Sequence, residues 1–183
     1  MRNLICIIFI VFFSFRVMPA LSNDMHPLFN LEDTISEKDL GVFPYFETPE
    51  FYKFSGPKTK TFEVKYIFND SGNVCSVEGK YFHATIMNTE KTEFNETFIV
   101  NFYQKLIVRQ GAKVVYSGGL PSKAYSLIAK ERPAYIKDLY DAIPYNYKQY
   151  LIRTREANIW IELIHGLNAN LVDFTVVREE ITK

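Results

Sequence analysis

The stretch Asn95-Glu96-Thr97-Phe98-Ile99-Val100-Asn101-Phe102-Tyr103-Gln104-Lys105-Leu106-Ile107-Val108-Arg109-Gln110, followed by Gly111 and Ala112-Lys113-Val114-Val115-Tyr116, decides the reading of the fold. Phe98, Phe102 and Leu106 recur four residues apart, with Ile99, Tyr103 and Ile107 in a second row beside them. Two adjacent apolar rows at this spacing lie on one side of an α-helix. Glu96, Asn101, Lys105 and Arg109 fall largely on the other side. Asn95 suits the cap position that satisfies free amides of the first turn, and Glu96 sits where the helix dipole favours negative charge. Lys105 and Arg109 lie toward the opposite end, and Gly111 suits the left-handed residue that stops a helix. Beyond it Ala112, Val114 and Tyr116 alternate with Lys113, Val115 and Ser117, which is the period of a strand. Gly118-Gly119-Leu120-Pro121 then reads as a turn. The unit predicts a helix packed across a sheet, and it marks a core rather than an active site.

Upstream, residues 4–15 form an almost unbroken apolar run behind Met1-Arg2-Asn3. A spanning helix needs about 20 apolar residues, so this run is too short to cross a bilayer in the ordinary way. It has the length of the hydrophobic region of a secretory signal. Ala20-Leu21-Ser22 places small residues where a signal peptidase reads them, which predicts cleavage after Ser22; an uncleaved anchor is the alternative. Cys6 lies inside the run without the small-residue context of a lipid-modified cysteine. The expected organisation is a signal peptide over residues 1–22 and a single α+β domain over residues 23–183.

Removing Arg2 and Arg16 with the signal leaves 19 basic and 21 acidic side chains, a formal charge of −2. The basic residues are scattered, and no stripe suits a phosphate backbone, so nucleic acid is not an expected partner. The remaining segment keeps one cysteine, Cys75, which rules out a disulfide within it and puts the burden of stability on the apolar core. Aromatic residues make up 16% of the chain, mostly Phe and Tyr, and they are the natural filling for that core. Cys75 has no evident histidine partner and reads as a small buried hydrophobe.

Residues 23–57 are rich in Asp, Glu, Pro and aromatics and show no sustained period. Val42-Phe43-Pro44-Tyr45-Phe46 and Phe51-Tyr52-Lys53-Phe54 suit short edge strands or a segment laid against the sheet, because Pro44 and Pro49 interrupt a central ladder. In residues 61–68, Phe62, Val64, Tyr66 and Phe68 share one face, opposite Glu63 and Lys65. Asn69-Asp70-Ser71-Gly72-Asn73 is a turn, so a hairpin follows. In its second arm Val77, Gly79, Tyr81 and His83 alternate with Glu78, Lys80 and Phe82, and Gly79 suits a bulge.

Residues 122–143 carry helical spacing again, with Pro133 at a first turn and Pro144 as the stop, which predicts a second helix over 133–142. Residues 147–153, 158–164 and 171–177 are three strands of an antiparallel meander. Trp160 and Glu162 face one side of the middle strand, and Ile159, Ile161 and Leu163 the other. Residues 178–183 read as a polar, fraying tail.

The residue types that carry chemistry are sparse. His26 beside Pro27 lacks further ligands at metal spacing. His83, in a strand, reads first as a structural residue. Asp138 and Asp141 share a helical face three residues apart, an arrangement open to acid–base work, but they read first as solvated surface charge. Asn69-Asp70-Ser71 and Asn95-Glu96-Thr97 match the glycosylation acceptor pattern, which matters only in a eukaryotic secretory pathway. No nucleophile elbow, zinc-protease helix, Cys-x-x-Cys pair, phosphate loop or dinucleotide fingerprint occurs. The reading therefore leans against an enzyme, names no catalytic or metal residue, leaves the ligand-binding residues open, and expects no cofactor.

Asp24 with His26-Pro27-Leu28, Glu78-Gly79-Lys80, and the block from Asn101-Phe102-Tyr103 to Gly111-Ala112-Lys113-Val114-Val115-Tyr116 together resemble a bacterial cell-envelope domain of unknown function. That domain is often found ahead of an OmpA-type peptidoglycan-binding domain. The Trp160-containing strand and the last strand are similar in placement. Met25 interrupts the Asp-His-Pro run of that domain, and residues 122–144 are extra helix beside it. The resemblance implies a periplasmic or outer-membrane-associated, non-enzymatic domain; it supplies no catalytic residue and carries no peptidoglycan-binding role.

The resulting expectation is an α+β fold: a mainly antiparallel sheet of five to six strands with one or two helices packed on one face. The expected function is an exported envelope protein that binds a partner without chemistry. Its partner would be an envelope protein or an apolar ligand, and no integral membrane segment remains after signal cleavage. A periplasmic carrier of an apolar small molecule or lipid is the second reading, and a hydrolase the third. A Phe- and Tyr-lined cavity would favour the carrier, a filled core with an exposed aromatic patch the binding domain. A cleft joining His83 or His165 to a carboxylate and a hydroxyl would favour the hydrolase.

Overall fold

Asn95 does cap a helix: its side-chain oxygen accepts a hydrogen bond from the Phe98 amide at 2.9 Å. The computed structural model describes residues 34–69, 71–122, 124, 146–166 and 170–181. Within them run β1 (Tyr52–Phe68), β2 (Val74–Asn88), α1 (Glu96–Arg109), β3 (Lys113–Gly118), β4 (Asn146–Arg153), β5 (Ala157–His165) and β6 (Val172–Glu180). Gly111, at φ +89°, ends α1, and its lack of a side chain also admits the Ser36 hydroxyl, which would stand 3.0 Å from a Cβ. The signal peptide expected over 1–22, His26, Asp138, Asp141 and the helix expected over 133–142 lie outside the described residues.

The strands form one antiparallel sheet in the order β1-β2-β6-β5-β4-β3. The chain leaves β2 through α1, enters the far edge at β3, and returns strand by strand until β6 lies beside β2. This corrects the expected α+β class to mainly β. Among the described residues, one 14-residue helix stands against strands of 17 and 15 residues and four shorter ones. The physical reason is the hairpin. Strands average about 5–6 residues, whereas β1 and β2 run long enough to serve two apolar layers.

One layer lies under α1. Ile99, Val100, Tyr103 and Ile107 bury the inner side of the helix against Phe82, Ile86, Ile161, Leu163 and Phe174 on the sheet. The helix is rolled relative to the sequence reading, so Phe98 of the first row is 46% exposed. The other layer comes from the hairpin itself. β2 pairs with β6 only from Lys80 to Ile86, and then peels away. At Gly79 a Cβ would lie 2.1 Å from the Arg178 carbonyl oxygen, so a bare backbone is required where the arm departs. On β1, Thr61 and Phe62 together oppose Lys80 alone, an extra residue that sharpens the bend. The far end of the hairpin therefore folds over the second sheet face. Ile67, Cys75 and Val77 pack there on Leu151, Trp160 and Val177, while Tyr66 and Phe68 pack on Tyr147 and Ile164. Each such large apolar side chain contributes about 1.5–3 kcal/mol by leaving water.

Sandwiching explains where period-two reading fails. Phe62 does not share a face with Tyr66 and Phe68; it is 57% exposed on the bulge, whereas Lys65, Tyr66, Ile67 and Phe68 are all buried. A second bulge at Val115 splits Ala112, Val114 and Tyr116, burying Val115 and leaving Val114 51% exposed. Residues 178–180 are not a frayed tail, because β6 stays paired with β5 out to Glu180 opposite Ala157. The edge strand β1 carries Pro57, Lys53, Lys58 and Lys60 along its exposed stretch, and a second bulge between Ser55 and Lys58. Proline, lysines and bulges all discourage another chain from pairing there.

Candidate functional site

The second sheet face carries a polar row that crosses five strands. Lys58 of β1 lies opposite His83 of β2, His83 opposite Thr175 of β6, Thr175 opposite Glu162 of β5, and Glu162 opposite Gln149 of β4. Burial deepens along the row, from exposed Lys58 to Gln149 with no accessible surface. Lys65, on the folded-over arm, closes the deep end by placing Nζ 2.6 Å from Glu162 Oε1. Gln149 donates to Glu162 Oε2 at 2.6 Å and to the Tyr66 carbonyl at 3.3 Å, and its own carbonyl accepts from the Phe68 amide at 2.7 Å. It thus acts toward β1 as a neighbouring strand would, satisfying backbone groups on the outer side of this edge strand, away from β2.

At the shallow end, Thr85 donates its hydroxyl to Asp173 Oδ1 at 2.8 Å, and His83 Nε2 stands 3.7 Å from the same oxygen. The ring stacks beside Tyr81. A histidine, a carboxylate and a hydroxyl are therefore brought together, as the hydrolase reading requires, but in the wrong order. General-base activation of a hydroxyl needs the imidazole between the hydroxyl and the carboxylate. Here the carboxylate is in the middle, and the hydroxyl proton points at it. His165 is elsewhere: Nδ1 is 3.4 Å from Glu96 Oε1, while Oε2 accepts from the Gly166 amide at 3.0 Å. That pair ties the end of β5 to the first turn of α1, where a carboxylate is favoured. Among the described residues, no three His, Cys, Asp or Glu group as a metal site.

Burial lowers the pKa of both histidines, against the raising influence of Asp173 on His83 and of Glu96 on His165. A histidine depressed below its ordinary 6.5 binds its proton more readily in the unfolded chain. Its contribution to stability is full above that value and is lost as pH falls through the lower folded value. We expect urea-unfolding free energy to decline between pH 7 and about 5, with a shallower decline in His83→Gln and His165→Gln variants. A slope unchanged in both variants would remove the histidines from the account. Burial also raises the Cys75 thiol and pushes the Tyr150 hydroxyl up to about 12, so both stay protonated and chemically quiet.

An open recess lies on the helix side, under residues 36–45. Ser36 fastens this strap, its amide donating to the Arg153 carbonyl at 2.7 Å and its hydroxyl to the Gln110 carbonyl at 2.9 Å. Lys38 adds a bond to the Arg109 carbonyl. Between the strap, the β4–β5 turn and the end of β6 lies a cleft of about 540 Å³. Leu40 and Ile159 supply its apolar part, and Tyr45 is its one aromatic. Lys38, Arg155 and Arg178 face Glu37, Asp39 and Glu156, so cations and anions balance. Arg178 is the best-held charge. Nε and Nη2 reach the two Glu180 oxygens at 2.7 and 3.2 Å, and Nη1 donates to the Tyr45 hydroxyl at 3.2 Å. Those bonds, first Glu180 and then Tyr45, raise the Arg178 pKa and lower that of Glu180. Tyr45 itself sits at φ 72°, a conformation uncommon for a residue with a side chain.

A second surface feature runs along α1. Phe94, Tyr52, Phe98 and Phe102 form a chain of rings with centroid spacings of 6.0, 5.8 and 6.2 Å, and Phe98 is the exposed member. Sequence spacing pointed to Phe98 and Phe102 as core, whereas nothing local pointed to the cleft. Residues 36–45 have no period, and Arg155 and Arg178 lie on separate elements. No protein-family model, curated protein or solved structure matches the chain.

Proposed function

We propose that this is an exported cell-envelope domain that binds a partner at its surface and does no chemistry. The observation that carries this reading is the contrast between core and recess. Both sheet faces are filled by packed Phe, Tyr, Ile and Val side chains, while the cleft beneath the strap is open and charge-lined. Its volume falls in the usual range for binding sites, about 300–1,000 Å³. A carrier of apolar molecules would instead hold its cargo among aromatic walls. The Asp173-centred order of Thr85, Asp173 and His83 weighs against hydrolysis. The exposed ring of Phe98 adds an apolar aromatic surface of the kind that suits protein contact. Export is the reading of residues 1–22 given above, and periplasmic or outer-membrane association follows from the resemblance.

A photo-crosslinking amino acid placed at Arg155, on the cleft rim, is the direct test in a Gram-negative host expressing the full chain. We expect discrete cross-linked products from position 155 and none from the exposed Glu78 on the hairpin arm. Products from position 78 alone would overturn the assignment of the surface. The native mass of the exported protein is the companion measurement. A bare mass is expected, and an added mass lost on denaturation would favour the carrier instead.

A further inference from the structure

Resting on that surface reading, we propose that the cleft takes the carboxylate end of a ligand with a short apolar body, such as the C-terminus of a peptide, with Arg178 as the receiving group. Three features of the cleft support this choice. The first is the way Arg178 is mounted. Its Nη1 is held from one side by the Tyr45 hydroxyl, and Tyr45 keeps a left-handed backbone conformation to be there. Such conformations are costly and persist only where the surroundings impose them. Tyr45 is so constrained: its amide bonds the Val42 carbonyl at 2.7 Å and its ring packs edge-on against Phe43 and Phe46.

The second feature is the asymmetry between Arg178 and its anionic partners. The Arg178 side chain is 28% exposed, whereas Glu180 and Glu156 are 66% and 81% exposed. Glu180 is thus free to swing out into water, while Arg178 is not. An incoming carboxylate can therefore replace Glu180 in the same two-pronged geometry, which matches the guanidinium fork. The guanidinium stays where Tyr45 holds it. The third feature is the setting. Balanced charges make the cleft a poor attractor for polyanions, so selection falls to geometry at one cation and to the apolar floor of Leu40 and Ile159. Capture of a terminal carboxylate by such a fixed donor set is a recurring mode of peptide recognition.

The test uses the full mature chain, ¹⁵N-labelled, titrated with N-acetyl-alanyl-alanine, its C-terminal amide, and acetate. We expect the acid to shift resonances of the strap and of residues 154–159, with the amide weaker by about tenfold or more because it loses the charge-assisted pair, and acetate weaker because it lacks the apolar body. Arg178→Gln should abolish the acid-specific shifts. Glu180→Gln removes the internal competitor and should tighten binding of the acid, a gain that misfolding cannot mimic. Equal response to acid and amide, equal response to acetate, no response to the acid, or weaker binding in Glu180→Gln would each overturn the proposal. Cross-linking at position 155 without preference for the free carboxylate would sink this inference and leave the surface reading standing.

Discussion

Replacing Lys65 by methionine is expected to destabilise the protein by about 3–5 kcal/mol, the cost of leaving one member of a buried ion pair without its partner. Lys65 and Glu162 are 5% and 1% exposed in their side chains, with 2.6 Å between Nζ and Oε1. Without the ammonium, Glu162 keeps the Gln149 amide as its donor but remains a carboxylate between two apolar clusters. It is then a buried acidic group without its cationic partner. The double variant Lys65→Met with Glu162→Leu should recover most of the loss, because apolar groups of similar volume replace buried ion pairs at little cost. Gln149 would still bond the Phe68 amide and the Tyr66 carbonyl, so the hairpin arm keeps its attachment. Urea unfolding of the two variants beside the wild type measures this. A single variant as stable as the wild type would mean that Glu162 reaches water when Lys65 is gone.

The second large effect is expected at Phe174. Its ring meets those of Tyr103 at 4.8 Å, Phe54 at 5.8 Å, Phe46 at 6.1 Å and Phe82 at 6.3 Å. One fully buried side chain on β6 thus joins α1, both hairpin strands and Phe46, just beyond the strap. Phe174→Ala should cost about 3–5 kcal/mol through lost burial and the cavity left behind. For a domain of this size that lowers the melting temperature on the order of 10 °C. Phe174→Leu keeps most of the apolar volume and should lose clearly less. Near-ultraviolet circular dichroism should weaken with Phe174→Ala, since Tyr103 loses its ordered neighbour. Equal melting temperatures for the two variants would show that neighbouring rings collapse into the space, and that shape at this point matters little.

These two sites differ in how far sequence reasoning could reach them. Phe174 lies in an alternating run, Leu171-Val172-Asp173-Phe174-Thr175-Val176, and its burial follows from the period of a strand. Lys65 alternates with Tyr66 and by the same rule belongs to solvent. Only the bend at Gly79 and the bulge at Thr61 and Phe62 carry it over the second face, within reach of a glutamate about a hundred residues on. Strand order matters in the same way for the polar row. Lys58, His83, Thr175, Glu162 and Gln149 come from five strands and meet only through register.

The sequence by itself determined what local physics governs. The cap at Asn95, the helix of Glu96–Arg109, the stop at Gly111, and the opposite facing of Trp160 and Ile161 follow from capping chemistry and side-chain period, which act over a few residues. The tertiary structure alone decided the mainly β class, the folding of the hairpin over the sheet, the buried Lys65–Glu162 pair and the charged cleft beneath the strap. Each depends on which distant segments are brought together. A bulge or bend reverses the face of every residue beyond it at little local cost, so period alone leaves that choice open.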